Sequence, residues 1–114
     1  MDEELGHIER ASDAGVAQAV KLIASKEATS DLERLRAFLS GGHPDAARRA
    51  VAAIANAVRS LEVFPARGRP SGTGETRELI VPFGHSAYIL RYAHLIESDE
   101  VVILRIWHGR EERE

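Results

Sequence analysis

The sequence predicts an α+β domain with an N-terminal strand, an antiparallel helical hairpin and a three-stranded meander, in the order β-α-α-β-β-β. In this architecture the hairpin packs on one face of a mainly antiparallel sheet. Three observations point there. Apolar residues recur at helical spacing over two consecutive stretches, a Gly-Gly-His-Pro connection separates those stretches, and short β-prone runs joined by polar residues follow a Pro/Gly-rich loop.

Residues 20–24, Val-Lys-Leu-Ile-Ala, form the first β-prone run, and Ser25 offers a hydroxyl to cap the helix that follows. From Lys26 onward Ala28, Leu32, Leu35 and Leu39 lie on one helical face with Phe38 beside them, until Gly41-Gly42 ends the helix. Pro44 suits the first turn of the second helix because its missing N–H has no intrahelical partner there; Asp45 suits the same dipole end, and His43 takes the cap position. Along this helix Ala47, Val51, Ile54, Val58 and Leu61 form the apolar stripe, while Ala50, Ala53 and Ala57 keep a thin flank that allows close packing. Residues 65–74 contain two prolines and three glycines and read as a loop. Strands are predicted at 76–81, 87–95 and 101–107, the last two joined by the polar connection 96–100.

Strand alternation groups Tyr88, Leu90, Tyr92 and His94 against Ile89, Arg91, Ala93 and Leu95. In the last strand it groups Val102, Leu104, Ile106 and His108 against Val101, Ile103, Arg105 and Trp107. A slip of one residue in the hairpin exchanges these sets, so their pairing stays open at this point. Either pairing carries arginine into the sheet. An arginine in mid-strand is costly to hide, so at least one of Arg91 and Arg105 is expected on a face that the helices leave uncovered.

A chain of 114 residues is one domain with one modest core, and the absence of cysteine excludes disulfides, thiolate nucleophiles and Cys-based metal sites. No apolar run approaches the roughly 20 residues needed to span a bilayer. The acidic start MDEELGHIER lacks the basic end and apolar middle of a signal peptide, so a cytoplasmic protein without a membrane partner is expected. The formal charge of −3 is unevenly placed: residues 1–19 hold Asp2, Glu3, Glu4, Glu9 and Asp13 against Arg10, a net of −4, which leaves +1 for the rest. Those residues show no sustained period and few large apolar side chains, and read as a mobile tail ahead of a single domain at 20–114. In that remainder the cations are nearly all arginine, whose planar fork suits carboxylates and phosphates, although a GC-rich genome produces the same excess. The five histidines lack H-x-x-x-H or H-E-x-x-H spacing, and Gly68, Gly72 and Gly74 lead into a strand instead of a helix, so neither a metal nor a nucleotide cofactor is expected.

Four elements in order carry a family resemblance: Leu61-Glu-Val-Phe-Pro65-Ala-Arg67-Gly68-Arg69, Arg77-Glu78-Leu79, Tyr88-Ile-Leu-Arg91-Tyr92, and Ile103-Leu-Arg105-Ile-Trp107-His108-Gly-Arg110. Together they resemble the ParE/RelE superfamily of type II toxins, which includes plasmid stabilisation toxins. The resemblance runs from about Val20 to Arg113 and is nearer the ParE branch. It implies the strand, hairpin and meander already derived, and a growth inhibitor neutralised by direct binding of a cognate antitoxin. Leu35, Phe38, Leu39 and Val58 are the candidate antitoxin contacts on the hairpin.

Two mechanisms are open within that family. RelE-like members cut ribosome-bound mRNA with basic groups on the phosphate and an acid–base pair on the reacting oxygens. The lysines and third-strand arginine of that pattern are missing here, which leaves Glu78 as candidate base, His108 as candidate acid, and Arg77, Arg91 and Arg110 as phosphate holders. The plain structural alternative is a strand-end role for His108 and an ion pair of Glu78 with Arg77 or Arg91. ParE-like members instead poison DNA gyrase by contact, which makes Arg69, Arg105 and Trp107 candidate interface anchors, because Trp and Arg dominate binding hot spots. This reading is preferred, with the endoribonuclease as alternative and a non-toxic binding module of the same fold as a third.

Overall fold

The computed structural model describes residues 20–72 and 74–109. The expected tail at 1–19 and the candidate Arg110 lie outside the described residues. The elements are β1 (Lys21–Ala24), α1 (Lys26–Ser40), α2 (Pro44–Ser60), β2 (Arg69–Pro70), β3 (Thr76–Phe83), β4 (Ser86–Leu95) and β5 (Glu100–His108), with a 3₁₀ turn at Ile96–Ser98. They form a five-stranded sheet in the order β1-β5-β4-β3-β2, in which β1 runs parallel to β5 and all other pairs are antiparallel. Both helices pack on one side of it, so the predicted fold class holds.

Ser25 caps α1 as expected, its Oγ accepting from the Ala28 N–H at 2.9 Å. The cap of α2 differs in detail: His43 occupies the position, but its imidazole makes no capping hydrogen bond, and Pro44 alone suits the first turn. The buried stripe of α2 also differs. Ala47, Ala50, Ile54 and Ala57 are buried with Leu61, whereas Val51 and Val58 are half-buried. The alanine flank is the packed face because its small side chains let the helix approach α1 and the sheet closely.

Register settles the faces. Leu79 opposes Leu90 and Val81 opposes Tyr88, while Leu90 opposes Ile106 and Tyr88 opposes His108. These residues, with Tyr92, Val101 and Ile103, lie on the helix-covered face, where most of them join Leu35, Ile54 and Leu61 in the core. A register shift between Arg91 and Tyr92 leaves Leu104 as an extra residue on β5. Strict alternation along β5 therefore fails: Val101 and Ile103 share the helix face with Ile106 and His108, and Val102 shares the opposite face with Arg105 and Trp107.

A second departure is β2. Residues 69–70 lie in the predicted loop, yet Arg69 pairs with Glu78 and Pro70 with Arg77, forming a two-residue edge strand. At the other end of the sheet β1 reaches only from Glu100 to Ile103 along β5. The exposed remainder of that edge is closed by α1 side chains. Ser25 Oγ donates to the Leu104 carbonyl at 3.0 Å, and Asp31 Oδ2 accepts from the Ile106 N–H at 2.9 Å, so backbone groups that would template another strand are occupied. No helix among the described residues is long and apolar enough to cross a membrane.

Candidate functional site

A row of charged residues set by register crosses the helix-free face of the sheet. Arg69 opposes Glu78, Glu78 opposes Arg91, and Arg91 opposes Arg105, so the row crosses β2, β3, β4 and β5 in one line. Asp31 of α1 ends it, reached by Arg105 around the open edge of β5. Arg91 donates to Glu78 Oε2 through Nη2 at 2.8 Å and Nε at 3.1 Å. Arg105 donates through Nε to Asp31 Oδ2 at 2.7 Å and through Nη2 to Oδ1 at 3.1 Å.

Like charges directly opposite in a ladder are destabilising, and Arg91 faces Arg105. Two features offset this. Each guanidinium has its own carboxylate, and both lie over the Trp107 ring, with Cζ atoms 4.8 and 5.3 Å from its centroid, so a π-face is shared between them. The carboxylates are 5–6% exposed and the guanidinium groups 28% and 37%, so the cations form the surface of the row and the anions its floor.

Asp31 is the residue that gives this row its rigidity. Burial pushes its carboxyl up, but hydrogen bonds from Arg105, the Ile106 N–H and Arg34, together with the Arg105 charge, outweigh that and hold it below its ordinary value of 3.8. Sequence reasoning passed over Asp31, although a signal was present. It stands three residues after Ala28 and four before Leu35, which places a carboxylate on the buried stripe of α1.

The nuclease candidates are not brought together. Glu78 and Arg91 meet on the helix-free face, whereas His108 lies on the other side, its Nε2 3.1 Å from Ser86 Oγ and its ring edge-on to Tyr88 at 5.4 Å. His108 and Glu78 also stand two strands and three residues apart, about 14 Å between backbones from standard strand spacings. Arg77 is on the helix side as well, donating to the carbonyls of Ala66 at 3.2 Å and Gly68 at 2.5 Å. It pins a loop instead of facing the row.

That loop explains why two of the sequence elements occur together. The Tyr92 hydroxyl donates to the Pro65 carbonyl at 2.8 Å and accepts from the Gly68 N–H at 2.8 Å, joining the P-x-x-G segment to the second tyrosine of Y-x-x-x-Y. Gly68 is required for closeness: a Cβ there would stand 2.7 Å from the Glu78 carbonyl oxygen and 2.8 Å from the tyrosine oxygen. Burial raises the Tyr92 hydroxyl above its ordinary 10.0, outweighing the Gly68 hydrogen bond and the nearby arginines.

Of the hairpin candidates, Phe38 is 80% exposed, while Leu35 is buried in the core and Leu39 and Val58 pack partly against it. Leu35 thus supports the hairpin from within and Phe38 presents the apolar surface.

Comparison with known proteins agrees with this architecture. Residues 22–113 match the family model described as the ParE toxin of type II toxin–antitoxin system, parDE. The chain is 42% identical over 92 residues to Toxin RelE1 of Caulobacter vibrioides, covering 81% of this chain and 96% of the relative. Among solved structures, the chromosomal ParDE toxin–antitoxin system from P. aeruginosa superposes with a TM-score of 0.65 at 23% identity, covering 81% of this chain and 98% of that one. The toxin–antitoxin complex RelBE2 from Mycobacterium tuberculosis gives 0.59 at 26% identity, covering 79% and 98%. The match over residues 22–113 and the 42% identity to a relative covered almost in full show the family: this chain belongs to the ParE toxin family of type II toxin–antitoxin systems.

Proposed function

We propose that this toxin acts in the cytoplasm by gripping a macromolecule, DNA gyrase, through its arginine-bearing sheet face, and that a cognate antitoxin neutralises it by direct binding. The observation that carries this reading is the division of the acid–base candidates. A general acid and a general base for one phosphodiester must both come within hydrogen-bond reach of the reacting group, and Glu78 and His108 project from opposite sides of the sheet. The row itself suits contact better than catalysis. Arg91 and Arg105 are oriented by carboxylates and stacked on Trp107, which presents rigid donors at little entropic cost on binding. Toxin–antitoxin complexes among the structural neighbours support an antitoxin partner, with Phe38 of α1 as its apolar contact.

The test uses purified toxin with gyrase and supercoiled plasmid, in parallel with ribosomes translating a defined mRNA. Stabilised gyrase-cleaved DNA with intact mRNA is expected, and Arg105→Ala is expected to weaken that effect. Codon-phased mRNA cuts with no effect on gyrase would overturn the proposal in favour of the ribonuclease reading, to which the name of the RelE1 relative lends support.

A further inference from the structure

Arg34, Arg36, Arg48, Arg91 and Arg105 each hold a carboxylate. Around the segment that joins α2 to β3 the pattern changes. Arg59 donates to Asn56 Oδ1 at 2.5 Å, Arg67 to Ser60 Oγ at 2.6 Å, and Arg77 to the carbonyls of Ala66 and Gly68, all neutral acceptors. Each of these guanidinium groups uses one terminal nitrogen for its protein partner and keeps further N–H donors for a ligand. Residues 59–77 hold Arg59, Arg67, Arg69 and Arg77 against Glu62 and Glu75. Glu62 is buried, so the four cations stand against one exposed carboxylate.

Helix spacing and loop contacts gather this charge. Asn56, Arg59, Ser60 and Val63 fall on one face at the end of α2, and Ser60 ties Arg67 to that face. Arg67 and Arg77 both act by charge on the Tyr92 hydroxyl, which puts them within electrostatic reach of one point. The carbonyls that end α2 would by themselves repel an anion, but they are occupied. That of Ser60 accepts from the Val63 and Phe64 N–H groups at 3.3 and 3.0 Å, and that of Arg59 accepts from the Glu62 N–H at 3.0 Å. From Arg69 the positive charge continues around the β2 edge to Arg91 and Arg105 on the helix-free face.

Beside these cations Val63 and Phe64 are 69% and 65% exposed, and with Pro65, Ala66 and Arg67 they line an open hollow of about 550 Å³. The backbone beneath is held. The Arg67 N–H donates to the Phe64 carbonyl at 3.0 Å and the Tyr92 hydroxyl to that of Pro65 at 2.8 Å, so little order remains to be lost on binding. An exposed aromatic ring among arginines fits a partner with repeated negative charge and flat apolar groups. A nucleic-acid strand has both, because its phosphates take guanidinium forks and any base stacks on an aromatic ring. An acidic peptide supplies the charge, but its aliphatic side chains call for an enclosed groove, and this hollow is open.

We infer that the surface formed by Arg59, Phe64, Arg67 and Arg77 binds single-stranded DNA through phosphate contacts and base stacking. The choice of DNA over RNA rests on the gyrase reading, since a toxin seated on gyrase meets DNA; the surface itself does not depend on it. A toxin that grips gyrase through Arg91 and Arg105 then holds the enzyme's DNA with the adjoining surface.

Fluorescence anisotropy of a short labelled DNA oligonucleotide, titrated with the full-length toxin in the absence of gyrase, tests this. Binding is expected to weaken with salt, with a slope of log K against log salt of about −2 for three phosphate contacts. The double variant Arg59→Gln, Arg67→Gln is expected to reduce that slope by about 1.4, and Phe64→Ala to lower affinity about 5–150-fold. The variant Arg36→Gln, Arg48→Gln removes the same charge from arginines that hold carboxylates, and is expected to stay within about twofold of wild type. Equal losses in the two double variants would overturn the inference, because net charge alone would then explain binding. So would the absence of binding at low salt. Tighter binding of an RNA oligonucleotide of equal length would overturn the choice of DNA, and tighter binding of a polyglutamate peptide of equal charge would overturn it in favour of an acidic protein partner. Oligonucleotide binding as expected, without any effect on gyrase, would support this surface and count against the gyrase reading alone.

Discussion

Replacing Asp31 by alanine perturbs the molecule at the junction of hairpin and sheet. The carboxylate, 6% exposed, accepts from Arg105 twice, from the Ile106 N–H and from Arg34 at 3.3 Å. Its removal leaves a buried backbone donor unsatisfied, at a cost of about 1–3 kcal/mol. Breaking a fully buried ion pair costs about 3–5 kcal/mol, but Arg105 is 37% and Arg34 45% exposed, so both can turn to water and that share falls well below the buried figure. The net expectation is a loss of about 2–4 kcal/mol, which for a domain of this size lowers Tm by roughly 10–25 °C.

Urea unfolding followed by the fluorescence of Trp107, the single tryptophan, reports the change directly, because the indole lies under Arg105. Asp31→Asn keeps an oxygen for the Ile106 N–H and should lose about half as much. The pH dependence has a definite sign. A carboxyl whose folded-state pKa lies below its ordinary 3.8 contributes fully above that value, and its contribution drains away as pH falls through the folded value. The wild type should therefore lose stability more steeply than Asp31→Asn as the pH is lowered below 3.8. An Asp31→Ala midpoint within error of wild type would refute the account of α1 as the closure of the β5 edge.

Gly68→Ala puts a methyl within 3 Å of the Glu78 carbonyl and the Tyr92 hydroxyl, so thermal unfolding should show a loss of about 1–3 kcal/mol with the loop displaced. Tyr92→Phe leaves the Pro65 carbonyl and Gly68 N–H without their partner and should cost about 1–3 kcal/mol in urea titration. Because the Tyr92 pKa is raised above 10.0, its stabilisation is complete below that pH and is lost as pH rises through the folded value; Tyr92→Phe should flatten the alkaline limb of the stability curve. Phe38→Asp should leave the unfolding midpoint within about 0.5 kcal/mol while weakening antitoxin binding at least about tenfold by calorimetry, whereas Leu35→Ala should cost about 2–5 kcal/mol of stability.

The helices and three long strands were legible because each has a period that burial enforces. Ala28, Leu35, Ile54 and Leu61 are core residues and sit where helical spacing places them. What lacked a period was not legible. Arg69 and Pro70 make a strand too short to alternate, and their pairing depends on Gly68 lying against Glu78, a tertiary contact. The extra residue Leu104 was hidden because Val101 to Leu104 are apolar without alternation, so Arg105 alone does not show where the slip falls. The parallel partnership of β1 with β5 has no local signature, since it joins residues some eighty positions apart. For the candidate site, the sequence places at least one of Arg91 and Arg105 on an uncovered face without saying which, and both lie there. An ion pair of Glu78 with Arg91 is among the pairings the sequence offers, and it forms; the Asp31–Arg105 pair is not legible there, because Asp31 reaches Arg105 through helix docking.

The bulge also bears on function. Were Leu104 to take its place in the ladder instead of bulging, strict alternation from Val101 would place Val101 and Ile103 on the same side as Arg105 and Trp107. Either the core would lose two of its most buried residues, or Arg105 and Trp107 would have to enter it. One inserted residue allows the first half of β5 to feed the core and the second half to carry the Arg105–Trp107 pair to the helix-free face. It leaves His108 on the helix side, however, since His108 lies an odd number of residues from Arg105. The same step that builds a rigid cationic surface thus keeps the imidazole away from Glu78. This register therefore presents Arg91 and Arg105 on one side of the sheet and the imidazole of His108 on the other.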